Sequence, residues 1–209
     1  MPSSDTSMTQ QPADYSGQRP GTTGPWLTII GPAGAGKSTL GKLLGDLVGK
    51  AFVDIDIAGR PFYLEKGWPV ARIYEESDRL GWVVTERAWE EARAHAVLNV
   101  LPQSPGGIVA LGAAHTNYTR DDLFDQVQQV VATSEHIIWV EPHEDPRHSL
   151  EALRERNKQV RGLDYLYDGH DMLAEWVLDA RSKSLATSVH YTRGLTPPQS
   201  VREIIQLLG

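Results

Sequence analysis

The sequence predicts an α/β fold in which helices cover both faces of a five-stranded parallel sheet. Five short apolar runs alternate with amphipathic stretches from residue 26 onwards, a pattern typical of parallel strands joined by helices. A glycine-rich turn joins the first apolar run to the first amphipathic stretch, which is common in folds of this class. The content of 40% hydrophobic and 22% charged residues excludes a fibrous or wholly disordered chain.

The length of 209 residues suits one domain with additions. Residues 1–25 are rich in small and polar residues and almost lack large aliphatic side chains, so their burial cannot offset the entropy of ordering. We therefore predict a disordered N-terminal extension over 1–25 and a folded domain over 26–209. The sequence has neither the pattern of a secretory signal nor an apolar run near the ~20 residues of a membrane span. We expect a soluble, cytoplasmic protein without a membrane partner.

The charge balance and the cysteine content exclude several classes of function. The net charge is −7, with 20 basic against 27 acidic residues, so the overall field does not favour nucleic acid. The chain contains no cysteine, which rules out disulfides, thiolate catalysis and cysteine-ligated metals. We expect no nucleic-acid partner and a monomer or weak dimer.

The first half of the chain contains two predicted strands and a long helical region. Apolar residues recur at helical spacing after the glycine-rich turn, which predicts one buried stripe of a helix. Glycine and proline then interrupt the helical pattern twice. The predicted elements are the strand Trp26–Ile30, the stripe Leu40, Leu43, Leu44, Leu47 and Val48, the strand Ala51–Ile55, and helices over 58–101 with breaks at Gly67–Pro69 and near Gly81.

The second half contains three predicted strands separated by helices. Thr119 with Asp122 resembles a capping box that opens a helix to about Ala132. Thr196, Pro197 and Gln199 form a second such signal before the last helix, which ends near Leu208. The remaining predicted elements are the strands Ile108–Leu111, Ile137–Val140 and Ser188–Tyr191, and a helical region over 146–186 interrupted around Arg161–Gly169.

Residues Gly31–Ser38 read GPAGAGKS and match the pattern G-x-x-x-x-G-K-[ST]. The match lies between a predicted strand and a predicted helix, which is the context that such a phosphate-binding loop requires. Its glycines let successive N–H groups point inward, and the helix N-terminus favours an anion. Lys37 can reach the β- and γ-phosphates of a nucleotide, and the Ser38 hydroxyl can ligate Mg²⁺.

Two carboxylates, Asp54 and Asp56, follow the second predicted strand. The carboxyl ends of parallel strands face the ligand crevice, and strand side chains two residues apart point to the same side. We therefore expect Asp54 in the Mg²⁺ shell and Asp56 near an acceptor hydroxyl. The alternative is a polar strand end with Asp56 as a helix cap.

At this point the chain resembles the shikimate kinases and related small P-loop kinases. The likeness covers about residues 26–209 and is strongest in the first third. The segments that carry it are Gly31–Ser38, Phe52–Asp56, Gly67–Glu76, Arg87–Glu90, Gly107–Gly112 and Arg181.

The resemblance implies a P-loop kinase fold, a three-layer α/β/α sandwich with a helical substrate-binding insertion over 58–101 and a lid over about 157–170. It implies transfer of the γ-phosphoryl group of ATP, with Mg²⁺, to a hydroxyl of a small carboxylated or polyhydroxylated metabolite. The implied catalytic residues are Lys37, Asp56 and Arg87; the nucleotide-binding residues Gly34, Ala35, Gly36, Lys37, Ser38 and Thr39; the acceptor-binding residues Asp56, Arg87, Gly112, Ala113 and Arg181; and the metal ligands Ser38 and Asp54.

The chain departs from the family at three places that bear on the acceptor. Gly112-Ala113-Ala114 stands where the family has three glycines, and the family's tyrosine four residues after the arginine that follows the lid, here Arg181, is replaced by Leu185. The lid lacks the usual Arg-Pro pair, so Arg154, Arg156 and Arg161 are all candidates for a lid arginine.

Shikimate is the best single acceptor, and another cyclitol, sugar acid or antibiotic is the alternative. A non-catalytic ATP-binding regulatory module is the competing class of function. His115 follows the third strand and is a candidate for acceptor contact, although a surface or capping role is commoner for such a histidine.

Overall fold

The computed structural model describes residues 23–209. The predicted extension over 1–25 therefore lies outside the described residues except for its last three. Of these, the Gly24 carbonyl accepts a hydrogen bond from the Gly106 N–H, and the Pro25 carbonyl accepts one from the Glu135 N–H. The extension itself stays a prediction.

The main sheet has five parallel strands, which are β1 (Leu27–Ile30), β2 (Phe52–Asp54), β3 (Ile108–Ala110), β4 (His136–Glu141) and β7 (Ser188–Tyr191). Their spatial order is β2-β3-β1-β4-β7. This confirms the predicted α/β fold with a five-stranded parallel sheet.

Helices cover both faces of this sheet and extend over the region after β2. They are α1 (Lys37–Val48), α2 (Ile55–Ala58), α3 (Arg60–Glu65), α4 (Val70–Leu80), α5 (Trp82–Ala88), α6 (Glu90–Val100), α7 (Asp121–Val131), α8 (Pro146–Arg161), α9 (Met172–Leu178), α10 (Ala180–Lys183) and α11 (Pro197–Leu208). A short 3₁₀ turn spans Ala113–His115. None of the helices within residues 23–209 has the length and apolar content needed to cross a membrane.

Alternate residues of the central strands enter two separate cores. Leu27 and Ile29 of β1 pack with α1 and α11 on one face of the sheet, whereas Ile30 joins α6 and α7 on the other face. Ile138 and Trp139 divide in the same way on β4. Burial on both faces explains why these strands read as continuous apolar runs.

The buried stripe predicted for α1 is partly wrong. Leu40 and Leu44 are buried, but Leu43 and Leu47 are exposed. Gly41 and Gly45 take the remaining core positions, because the side chain of Phe52 packs directly against them. Small residues let α1 approach β2 closely, and a hydrophobicity pattern does not register that contact.

Two predicted element ends also need correction. The second strand ends at Asp54 rather than Ile55, because the Asp54 side chain accepts the N–H of Asp56 and caps α2. Thr119 and Asp122 form no capping box; the backbone N–H and hydroxyl of Thr119 both donate to Glu90, and α7 begins at Asp121. The capping box of Thr196 with Gln199 is confirmed.

The interruption predicted around 161–169 contains a small hairpin. Its strands, β5 (Leu166–Tyr167) and β6 (His170–Asp171), pair antiparallel between α8 and α9. Asp168 at its tip has a positive φ of 53°. The sequence pattern predicts only an interruption of the helical region there, because two-residue strands leave no periodic signal.

Candidate active site

The loop between β1 and α1 forms one wall of a cleft of about 470 Å³. Gly36 precedes the helix with φ 100°, a conformation that side chains rarely adopt, and nothing lies within 4 Å of the position its Cβ would take. The first turn of α1 contains no acidic residue and no side chain caps it. The exposed N–H groups and the helix dipole therefore make this end of the cleft attractive to anions.

Lys37 lies beneath this loop and is almost completely buried. Its Nζ donates to the carbonyls of Gly31 at 2.8 Å and Pro32 at 2.9 Å. Burial lowers the pKa of Lys37 to about 8, and the charge of Arg161 acts in the same direction, whereas Asp56 and Asp54 oppose it. Burial and the nearby Arg161 both disfavour the charged form, so a bound anion would stabilise this ammonium group.

The middle of α8 supports the loop from outside the motif. Asn157 is buried and donates from Nδ2 to the Ala33 carbonyl at 3.0 Å, and Arg156 donates to the Gly34 carbonyl at 2.9 Å. Asn157 was missed in the sequence, where it looks like one more polar residue of a helix. Its contact joins residues 124 apart in the chain.

The three arginines proposed for the lid differ in position. Arg156 and Arg161 line the cleft. Arg154 forms an ion pair with Asp171 and donates to the Asp164 carbonyl, and it is not among the cleft-lining residues. Arg156 and Arg161 are therefore the two candidates for a lid arginine that line the cleft.

Asp54 and Asp56 both line the cleft, facing the loop. The alternation of side chains along a strand does not explain why both aspartates line the cleft, because Asp56 belongs to α2 and not to β2. Asp54 is half-buried and Asp56 is exposed. Among the described residues no group of three or more acidic or histidine side chains is arranged to hold a metal.

The end of β3 forms the wall next to Asp56. Gly112 and Ala113 line the cleft. A Cβ on Gly112 would lie 2.9 Å from Asp56 Oδ1 and 2.6 Å from His115 Nδ1, so any larger residue would push these groups apart. His115 is buried, and its Nε2 lies 2.5 Å from the Tyr63 hydroxyl.

Arg87 lies outside the residues that line the cleft and is already paired. Its guanidinium donates to both carboxylate oxygens of Glu175 at 2.7 Å and to the Asn117 side chain at 3.3 Å. The Nε2 of His170 is 2.6 Å from the same glutamate. Burial raises the pKa of Glu175, but Arg87 and His170 outweigh it and hold that pKa below its usual value.

Arg181 is also separate from the cleft lining. It is exposed, pairs with Asp121 at 2.8 Å and covers the ring of Phe124 at 3.8 Å. The structure therefore brings together Lys37, Asp54, Asp56, Gly112 and Ala113 but leaves Arg87 and Arg181 in other contacts. The cleft is also lined by Thr192, Leu195, Pro197 and Ser200, which the sequence analysis assigned to no site.

Comparisons with known proteins agree with this architecture. No protein-family profile matches the chain. A shikimate kinase of Psychrobacter sp. (strain PRwf-1) is 36% identical over 108 residues, which are 49% of this chain and 54% of that protein. The chain thus spans about half the length of this relative. A shikimate kinase of Salinispora arenicola (strain CNS-205) is 26% identical over 152 residues, which are 69% of this chain and 89% of that protein.

Solved structures show the fold over almost the whole described chain. The shikimate kinase from Acinetobacter baumannii in complex with shikimate superposes with a TM-score of 0.62 at 19% identity, covering 90% of this chain and 94% of that one. The shikimate kinase from Bacteroides thetaiotaomicron superposes with a TM-score of 0.52 at 17% identity, covering 87% and 97%. The chain therefore resembles shikimate kinases in sequence and has the shikimate kinase-like P-loop kinase fold.

Proposed function

We propose that this protein is an ATP-dependent kinase that transfers the γ-phosphoryl group to a hydroxyl of a small metabolite. The observation that carries the proposal is that the phosphate-binding loop, Lys37 and Asp56 line one cleft. Phosphoryl transfer needs a site for the triphosphate next to a group that aims the attacking alcohol, and these residues supply both. The similarity to shikimate kinases makes shikimate the first acceptor to test.

The nucleotide would be held mainly by backbone. The N–H groups of Gly34 and Gly36 and of the first turn of α1, with Lys37, Ser38 and Thr39, are the donors available to the phosphates. Ala35 lines the same cleft, and its N–H donates to the Pro32 carbonyl at 3.4 Å. Arg156 and Arg161 add positive charge from the far side of the cleft. These groups oppose the negative charge of the phosphates throughout the transfer.

The oxygens of Ser38 and Asp54 fit Mg²⁺, because this ion prefers one or two protein oxygens together with phosphate and water. When bound, the ion would neutralise phosphate charge. Ser38 is exposed at the start of α1, and Asp54 faces it across the loop. Asp54 also accepts the Asp56 N–H, which fixes its carboxylate in place.

Asp56 would accept a hydrogen bond from the acceptor hydroxyl and aim its oxygen at the γ-phosphorus. The new P–O bond forms as the bond to the β-phosphate oxygen breaks, so ADP leaves and the hydroxyl proton passes to Asp56. The transition state is loose, so the proton moves late and an ordinary carboxylate suffices. Gly112 and Ala113 would form the wall of the acceptor site next to Asp56.

A specific observation favours acceptors without a carboxylate as a second candidate class. The resemblance assigns Arg87 to the acceptor carboxylate and Arg181 to its support. In this chain both oxygens of Glu175 already occupy Arg87, so an acceptor carboxylate would have to displace an internal one. A neutral cyclitol or an aminocyclitol would not require that exchange.

The test is an ATP-consumption screen with shikimate, quinate, gluconate and aminocyclitols. We expect acceptor-dependent turnover with one of them and a loss of about 100- to 1000-fold in Asp56→Asn, with ADP affinity retained. Asp46→Asn, an exposed aspartate on α1, is the matched control. A protein that binds ATP but consumes none with any acceptor, and is indifferent to Asp56→Asn, would instead be a regulatory ATP-binding module.

A further inference from the structure

Four successive carbonyls of the phosphate-binding loop each accept a hydrogen bond from a side-chain nitrogen. Lys37 of α1 holds the first two, and two adjacent residues of α8, Arg156 and Asn157, hold the other two. The accepting residues are, in order, Gly31, Pro32, Ala33 and Gly34. The second half of the loop therefore takes its position from α8.

Asn157 is the buried member of this pair and is only 1% exposed. A Cβ on Gly34 would lie 2.6 Å from both Nδ2 and Oδ1 of Asn157, so the amide lies directly against the loop backbone. Oδ1 has no hydrogen-bond partner among the described residues, so the amide is held by the bond from Nδ2 to the Ala33 carbonyl. Because a peptide unit is planar, this bond also fixes the direction of the Gly34 N–H, in a residue that lines the cleft.

The backbone of Asn157 contributes to the end of the same helix. Its carbonyl accepts the N–H of Leu163 at 3.4 Å, and Gly162, with φ 69°, ends α8 beside it. Arg161, the last residue of α8, lines the cleft and donates to the Tyr165 hydroxyl at 3.1 Å. Asn157 thus contacts the phosphate-binding loop with its side chain and, with its backbone, the start of residues 162–170 (the lid segment).

The lid segment in turn lies against the helices predicted to bind the acceptor. The ring of Tyr167 is 5.5 Å from that of Trp82 in α5, centroid to centroid. Asp168, at the tip of the hairpin, packs against Gly81, where a Cβ would lie 2.6 Å from its Oδ2. A displacement of the end of α8 would therefore also displace the hairpin from α5.

We infer that Asn157 is a positioning residue that couples nucleotide binding at the phosphate-binding loop to the order of the lid segment. The inference rests on the proposed function, because it takes the ligand of the loop to be a nucleotide. Phosphates on the loop would fix its backbone, and the bond from Asn157 to the Ala33 carbonyl would then hold the end of α8. This keeps Arg161 at the cleft and the hairpin on α5. Without the bond, the nucleotide still binds the loop but no longer orders the lid segment.

Amide hydrogen exchange of the full chain, with and without ADP and Mg²⁺, measures this coupling. In the wild type we expect ADP to slow exchange in residues 162–170 roughly tenfold, a typical size for coupling between two sites. Asn157→Leu removes the donor at similar volume and should still bind ADP, with the slowing reduced to less than about twofold. A merely structural role would speed exchange with and without ADP and leave their ratio unchanged. Equal ratios in wild type and variant, or no effect of ADP in the wild type, would overturn the inference.

Asn99→Leu is the matched control, since the Asn99 amide donates to His95 within its own helix, α6, and the ADP effect should equal that of the wild type. Linkage limits the loss of ADP affinity in Asn157→Leu to the same factor of about ten, and a larger loss would mean that Asn157 acts on the nucleotide itself. Should Asn157→Leu fail to fold, Asn157→Ala removes the amide without added bulk and is judged by the same ratio.

Two failures are distinguishable in this experiment. If the wild type binds no ADP, the proposed function fails and the inference fails with it. If the wild type binds ADP and the ADP effect on the lid segment survives in the Asn157 variants, the inference alone fails.

Discussion

The two ends of the cleft are built in different ways. The phosphate end consists of a short continuous loop whose backbone groups face the ligand, with Lys37 beneath it. The acceptor end consists of residues from the end of β2, from α2 and from the segment after β3, and Arg87, outside the cleft lining, is engaged by Glu175 of α9. A chemistry shared by many proteins can rest on one local motif, whereas recognition of one particular alcohol requires residues that only the fold brings together. Three changes test this contrast.

Lys37→Met should have the largest effect, because it removes the one charge that the phosphate end supplies from beneath the loop. We expect ATP turnover to fall about 100- to 1000-fold. Thermal stability should change little, because relief from burying the charged lysine is offset by the loss of the donor to the Gly31 and Pro32 carbonyls. Lys42→Met, an exposed lysine on the same helix, is the control and should leave both quantities unchanged. Comparable losses of activity in the two variants would argue against a special role for Lys37.

The pH dependence of nucleotide binding should show an intermediate effect. The pKa of free Lys37 is about 8, and bound phosphates favour its charged form. ADP affinity should therefore be constant below pH 8 and fall by up to about tenfold per unit above it. Calorimetry with Mg²⁺ and ADP at pH 7, 8 and 9 measures this. Lys37→Arg keeps its charge throughout and should give a flat profile; a wild-type profile that is equally flat would refute the assignment.

Glu175→Gln should have the smallest effect and tests the acceptor end. The variant frees the Arg87 guanidinium from an internal carboxylate, so KM for shikimate should fall roughly fivefold, which corresponds to a binding free energy on the order of 1 kcal/mol. Acceptors without a carboxylate should keep their KM. Glu151→Gln, an exposed residue of α8, is the control. The same change for both classes of acceptor would mean that Arg87 does not contact the acceptor carboxylate.

The same variant has a predictable effect on stability. The pKa of Glu175 is held below its ordinary 4.5, so its ion pair contributes stability above that pH, which is lost as the pH falls through the lowered value. The pair is partly exposed, with 26% and 22% of its side chains accessible, so solvent screens it. We expect Glu175→Gln to lose about 1 kcal/mol of unfolding free energy near neutral pH and less in acid. Urea denaturation at pH 7 and pH 4 measures the difference.

Local patterns predicted most of the elements, and they failed where a distant residue intervened. The strands Ile137–Val140 and Ser188–Tyr191 and the last helix followed from apolar runs and a capping box. The capping box at Thr119 failed because Glu90, 29 residues earlier, takes the same donors. The exposed Leu43 and buried Gly41 reversed the expected stripe of α1 because Phe52 fills the space above glycine.

The sequence alone determined the glycine-rich loop with Lys37, the two aspartates after the second strand and the parallel α/β class. Each depends on residues close in the chain, where spacing already dictates backbone direction and side-chain reach. The tertiary structure alone decided that Asn157 supports the loop, that Glu175 binds Arg87, and that His115 and Asp56 both pack close to Gly112. These contacts join elements far apart in the chain, and their geometry follows from how helices pack on the sheet, which no local pattern encodes.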